Sequence, residues 1–203
     1  PLQKGTTMKV TLASSNKGKL AEFQQLLSEL PFIVVPQSDF QISDAIENGL
    51  SFVENALIKA RHASRLTGLP AIADDSGLEV DRLNGAPGIY SSRFSGENAT
   101  DEKNNQRLLS LLNDTPESER TARFQCVLVY MRHPEDPTPI ICQGSWEGLI
   151  SPAPKGKNGF GYDPIFFVPE FGCTSAQLEK VEKNQISHRG KAMAQLLKRL
   201  STS

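Results

Sequence analysis

At 203 residues the chain has room for one well-packed domain, two-lobed at most, and barely enough for two. Its 22 Lys and Arg nearly balance 23 Asp and Glu, and the sequence pI is about 6.4, which argues against an extended polyanion such as nucleic acid as partner. The longest apolar run, Cys126 to Met131, is far too short to cross a bilayer, and three cysteines without a Cys-x-x-Cys pair fit free thiols in the cytoplasm better than a disulfide framework or a zinc site.

Residues 1–7 precede the first strand pattern and read as a processed leader or an expression remnant, expected to be disordered. Residues 8–203 read as one domain. Met8 to Ala13 is predicted as a buried strand, and Ser14-Ser15-Asn16-Lys17-Gly18-Lys19 turns from it into a helix with Leu20, Phe23, Leu26, Leu27 and Leu30 on one face. A strand, a Ser/Asn/Gly turn and a helix can present backbone N–H groups to a phosphate. Lys19 in the first helical turn is unfavourable without an anion. An ordinary N-cap beside a surface lysine accounts for the same residues.

Phe32 to Val35 is a second short strand. Ser51-x-x-Glu54 predicts a capping box opening a helix to about Thr67, ended by Gly68. Asn55 and Lys59 lie four residues apart, hence on one face. Lys59 suits either a phosphate contact or a solvated surface. Pro70 to Ala73 and Leu78 to Val80 are predicted as two strands divided by a turn at Asp74-Asp75-Ser76-Gly77. Two carboxylates after a buried apolar run repel each other and lose water, and a bound cation answers both problems. Hard oxygen ligands without His or Cys suit Mg²⁺, with Glu47 in the preceding loop as a third carboxylate. A β-turn with a capping Asp explains one of the two aspartates but not both.

A long loop over Gly85 to Asn98 leads to a predicted helix from about Thr100 to Leu112. Thr121 to Arg132 and Pro139 to Ile150 are predicted to pair as a hairpin. In Asn158-Gly159-Phe160-Gly161-Tyr162-Asp163, glycines clear the space around a ring that could stack on a base, and Asp163 could fix a polar edge. A structural turn with a core aromatic fits that stretch equally well. Ile165 to Val168 is the last predicted strand, Thr174-x-x-Gln177 a second capping box, and Ser187 the cap of a C-terminal helix. Lys183, His188 and Arg189 gather cations around that helix start, a placement that favours ligand contact. The pattern as a whole predicts an α/β fold with a mixed sheet flanked by helices.

The motifs Ser-Ser-Asn-Lys-Gly-Lys (14–19), Phe-Val-Glu-Asn-Ala (52–56), Ala-Asp-Asp-Ser-Gly-Leu (73–78), Gly-Ala-Pro-Gly-Ile-Tyr-Ser-Ser-Arg (85–93), Gly-Phe-Gly-Tyr-Asp-Pro-Ile-Phe (159–166) and Ser-His-Arg-Gly (187–190) occur in one order. In this the chain resembles the inosine/xanthosine triphosphate pyrophosphatase family, and its bacterial members most. The resemblance implies hydrolysis of dITP, ITP or XTP to the monophosphate and pyrophosphate, with Mg²⁺, by a homodimer. It implies an elongated mixed sheet folded into two lobes around a central cleft. Ser14, Ser15, Asn16, Lys17, Gly18 and Lys19 would bind the triphosphate, with Lys59 near it. Asp75 would act as general base with Ser76 beside it, and Glu47, Asp75 and Asp74 would hold the metal. Phe160, Gly161, Tyr162, Asp163, Lys183, His188 and Arg189 would hold the base and sugar. Ser14 stands where many relatives carry Thr and keeps the hydroxyl.

Two other readings compete. A pyrophosphatase for modified pyrimidine or methylated nucleotides would differ only in its substrate panel. A non-catalytic nucleotide sensor would keep the phosphate cradle but has no need of Glu47, Asp74 and Asp75.

Overall fold

A computed structural model describes residues 8–28, 30 and 32–201; the expectation for residues 1–7 lies outside them. The described chain forms β1 (Met8–Leu12), α1 (Lys17–Leu26), β2 (Phe32–Pro36), α2 (Phe52–Thr67), β3 (Ala71–Val80), α3 (Asp101–Leu111), β4 (Thr121–Met131), β5 (Ile140–Ile150), β6 (Phe166–Val168), β7 (Cys173–Thr174), α4 (Lys180–Ile186) and α5 (His188–Ser201). The strands lie in the order β2-β1-β3-β4-β5-β6-β7. β1 runs parallel to β2 and to β3, whereas β5–β6 and β6–β7 are antiparallel, so the sheet is mixed as expected. Among the described residues no helix is long and apolar enough to cross a membrane.

The fold divides into two compact units. Of the described residues, the first comprises those up to 75, 126–144 and those from 189 onward, and the second 76–125 and 145–188.

In the first unit the strand period of two sorts the core onto two faces. Ile72 on β3 and Cys126, Leu128 and Tyr130 on β4 pack with Phe23 and Leu27 from the α1 region and with Ala192, Met193 and Leu196 of α5. Ala71 and Ala73, with Val127, Val129 and Met131, pack against Ala56, Ala60 and Ala63 of α2. Three alanines on one helix face bring α2 close to the sheet. Ser51 caps α2 as predicted, its hydroxyl accepting from the Glu54 N–H, and Gly68 closes the helix at φ +69°. The Glu54 carboxylate reaches one residue further back than a capping box requires, accepting from the Leu50 N–H at 2.7 Å.

The second unit is built on Leu78, Val80, Phe124, Trp146 and Phe166 from the sheet, joined by Leu108 and Leu112 of the α3 region, Tyr162 and Leu178. Arg120 is buried within it and donates to the carbonyls of Ile150, Leu112 and Ser151.

Three details differ from the sequence-based expectation. The Asp-Asp-Ser-Gly stretch is no turn: β3 runs unbroken from Ala71 to Val80. A turn would have carried the carboxylates towards water, but cations meet them inside the fold, so the pleat continues. The Thr174–Gln177 capping box is present but opens a single 3-10 turn, with α4 beginning three residues later. The two-residue strand β7 was too short to register in any pattern.

Candidate functional site

Because β3 stays extended, its adjacent aspartates face opposite ways. Asp74 shares its face with Ile72 and looks towards α1 and α5. Asp75 shares its face with Ala71 and Ala73 and looks towards α2. Both are buried, at 1% and 7% exposure.

On the first face, Asp74 is fully answered by cations. Lys19 Nζ lies 2.6 Å from Oδ1, Arg189 Nε lies 3.4 Å from Oδ2, and the Cys126 thiol donates to Oδ2 at 3.1 Å. Arg189, 2% exposed, also pairs through Nη1 with Glu22 on α1. The result is an alternating chain of charge, Lys19–Asp74–Arg189–Glu22. Burial alone would raise the Asp74 carboxyl, but Lys19, Arg189 and Lys59 outweigh it and hold the group well below the usual carboxylate range. Burial and the neighbouring Asp74 push the Cys126 thiol well up, so it is inert.

These contacts bear on three of the expected site residues. Lys19 near the helix start is balanced by Asp74, so its position does not by itself require a phosphate. Asp74, expected to assist the metal, has Lys19 at Oδ1 and Arg189 and the Cys126 thiol at Oδ2. Arg189, expected to touch substrate, is buried in the first unit and pairs with Asp74 and Glu22.

The second face is less settled. Lys59 Nζ stands 3.3 Å from Glu47 Oε1 and 3.6 Å from Asp75 Oδ1. Asp75 Oδ2 is buried with no hydrogen-bond partner among the described residues. Burial pushes the Asp75 carboxyl up to about 6, Asp74 and Glu47 adding to the rise while Lys59 and Lys19 oppose it. Burial would lower the Lys59 ammonium, yet Asp75, Asp74 and Glu47 raise it, so it stays charged.

Between β1 and α1, Asn16 caps the helix by accepting from the Lys19 N–H at 3.1 Å, and its own N–H donates to Ser14 Oγ at 3.1 Å. Ser15 donates to Asp44 at 3.3 Å. Ser15, Asn16 and Lys17 are exposed, Ser14 and Gly18 half-buried. Donors at a helix start thus remain open to an anion while the turn itself is pinned.

Within the second unit, Asp163 organises the glycine-rich loop. Its Oδ2 accepts from the Phe160 N–H at 2.9 Å and from Lys183 Nζ at 2.7 Å, and its Oδ1 accepts from Ser175 at 2.9 Å. Gly159 sits at φ +72°, and a Cβ there would collide with the Asp163 carboxylate. Asp101 accepts from the Gly161 N–H and Asn105 donates to its carbonyl, while the Tyr162 hydroxyl donates to the Ser91 carbonyl at 2.6 Å. Lys183 Nζ lies 5.1 Å from the Phe160 ring centroid. His188 is buried and stacks on Phe124, centroids 4.7 Å apart at 15°. Ser76, next to Asp75 in the chain, is half-buried.

Sequence reasoning missed Glu22, Asp101, Asn105, Phe124 and Ser175. Glu22 carried a faint signal, a carboxylate three residues from Lys19 and adjacent to the apolar Phe23 in α1. The others are brought in by tertiary structure alone.

A mixed sheet, covered in the first unit by helices on both faces and carrying buried carboxylates set against lysines, defines an α/β protein whose polar site is built from charge. The chain belongs to the Ham1 family, which matches residues 10–199. A Vibrio cholerae protein named dITP/XTP pyrophosphatase is 60% identical over 190 residues, spanning 94% of this chain and 95% of that one. An Escherichia coli K12 protein of the same name is 59% identical, spanning 93% of this chain and 96% of that one. The structure of a HAM1 protein from Coxiella burnetii superposes with a TM-score of 0.89 at 52% identity, covering 97% of this chain and all of that one.

Proposed function

We propose that this chain is a nucleoside triphosphate pyrophosphatase that hydrolyses dITP, ITP and XTP to the monophosphate and pyrophosphate, clearing non-standard purines from the nucleotide pool. Identity of about three residues in five to proteins named for that activity supports the reading. The structural observation that carries it is Asp75: a buried carboxylate with one oxygen unpartnered among the described residues, poised near pH 6, beside a second carboxylate and a lysine.

Those features also suit a divalent cation. Glu47 and Asp75 supply hard oxygens of the kind Mg²⁺ takes, one or two carboxylates with substrate oxygens completing the set. Among the described residues no group of three or more His, Cys, Asp and Glu is arranged to hold a metal ion, which matches a site shared with substrate rather than a closed protein cage. When bound, the cation neutralises phosphate oxygens and lets both carboxylates remain ionised.

The residues of the chain divide the remaining work. The Ser14–Lys19 turn and Lys59 bind and orient the phosphates. Ionised Asp75 takes a proton from water as its oxygen attacks the α-phosphorus, and the bond to the bridging oxygen breaks to release pyrophosphate. The Phe160 ring suits a purine face, while Lys183 and His188 supply the polar contacts expected for the base and sugar. A donor aimed at a 6-oxo acceptor rejects adenine, whose 6-amino group leaves that donor without an acceptor at roughly 1–3 kcal/mol. The working unit in this reading is residues 8–203, as a cytoplasmic homodimer.

Pyrophosphate release from dITP, XTP, dGTP and dATP, each with Mg²⁺ and with EDTA, tests the proposal. Metal-dependent release from dITP and XTP, weak with the standard nucleotides, is expected. Equal rates on all four would keep the chemistry and remove the specificity; no release from any would return the sensor reading. The acid limb of kcat/KM should lie at or below about pH 6, because Asp75 is protonated there without a cation, and should move lower as Mg²⁺ is raised. A limb that ignores Mg²⁺ would separate Asp75 from the metal.

A further inference from the structure

Glu47 sits in a segment, residues 41–50, that has no regular secondary structure. Of its larger apolar side chains Ile42 packs on the alanine cluster of α2, but Ile46 and Leu50 are each 83% exposed, so apolar burial does not fasten the part around Glu47. What holds it is polar: Ser15 and Gln37 donate to Asp44, and the other contacts come from α2. Asn55 Oδ1 accepts from the Gly49 N–H at 2.8 Å, and Asn55 Nδ2 donates to the Gly49 carbonyl at 3.5 Å. Lys59 Nζ pairs with Glu47 at 3.3 Å. His62 Nε2 donates to the Ser43 carbonyl at 2.7 Å.

Positions 55, 59 and 62 follow the i, i+4, i+7 spacing of one helix face. They grip loop residues 49, 47 and 43 in reverse order, so the loop lies along the helix as if against a ruler. Asn55 is the buried rung, at 2% exposure. Its approach requires glycine opposite: a Cβ on Gly49 would fall 2.7 Å from Asn55 Oδ1 and 2.6 Å from Glu54 Cβ. A side-chain amide that satisfies both backbone groups of one residue, two positions from a carboxylate, sets where that carboxylate stands.

We infer that Asn55, through its clasp on Gly49, is a positioning residue that presents Glu47 for divalent-cation binding, with His62 fixing the far end of the same segment. The inference rests on the reading of Glu47 as a metal ligand given above. Outer partners that orient a ligand are worth about 10–100-fold in metal affinity.

The test is Mn²⁺ binding to the full chain without nucleotide, followed by electron paramagnetic resonance, for wild type, Glu47→Gln, Asn55→Ala and Gly49→Ala. Glu47→Gln should bind Mn²⁺ far more weakly, and both clasp variants should weaken binding by at least about tenfold. Gly49→Ala breaks the clasp from the loop side, so the test stands if Asn55→Ala does not fold. In turnover the half-saturating Mg²⁺ should rise while kcat at saturating Mg²⁺ returns close to wild type. A merely structural role would lower the folded fraction and leave the metal constant unmoved. Clasp variants that bind Mn²⁺ like wild type while Glu47→Gln does not would overturn this inference alone. Equal binding by wild type and Glu47→Gln would overturn the metal reading with it.

Discussion

Asp75→Asn is expected to lower kcat by about 10²–10⁴, the range for losing a general base, while nucleotide affinity stays within a few-fold. It is also expected to make the protein more stable at neutral pH. Asp75 titrates near 6 in the folded chain against an ordinary 3.8, because burial penalises its charge. Between those values the folded state holds a proton that the unfolded state has lost, so stability falls as pH rises from about 4 to 6 and stays lower above. An amide needs no proton, and the variant escapes that loss of about 1–3 kcal/mol. Urea unfolding at pH 5 and pH 8, run beside single-turnover kinetics, separates the effects: the stability gap between variant and wild type should widen at pH 8. Near-wild-type turnover would refute Asp75 as the base. A variant less stable at pH 8 would mean that the Asp75 charge is compensated in the folded protein.

That opposition between activity and stability bears on what could be read from the residues. The fold class, the Ser51 and Gly68 boundaries of α2, the Thr100 start of α3 and the two long strands β4 and β5 all rest on local chemistry: caps, glycine and apolar alternation. The Asp74-Asp75-Ser76-Gly77 stretch was legible as an anomaly but not as a strand. Whether a chain turns there depends on what stands opposite the carboxylates, and Lys19, Lys59 and Arg189 come from three different helices. Adjacent side chains on a strand must part, so a motif that looks like one site on paper becomes two environments. Asp74 is saturated with cations and Asp75 is starved of them. The same limit hid Glu22: an acidic residue on α1 reads as surface until Arg189, 167 residues away in sequence, is brought against it.

Arg189→Met is expected to have the largest effect on stability. The guanidinium is buried between Glu22 and Asp74, and both carboxylates keep Arg189 charged, its acidity held far below the ordinary arginine value despite burial. Removing one member of a buried ion network costs about 3–5 kcal/mol, because charge of the other sign is left inside without its counterpart. For a chain of this size that is a fall in Tm of roughly 6–20 °C. Arg189→Lys should recover only part of the loss, since a single ammonium cannot reproduce the planar fork that meets two carboxylates. Arg189→Met with Glu22→Gln should be more stable than Arg189→Met alone, because the second change removes one of the two anions that had faced the guanidinium. Thermal unfolding of wild type and the three variants decides it. A single Arg189→Met within about 1 kcal/mol of wild type would mean that Lys19 alone satisfies Asp74 and that the charge chain through Glu22 holds nothing in place.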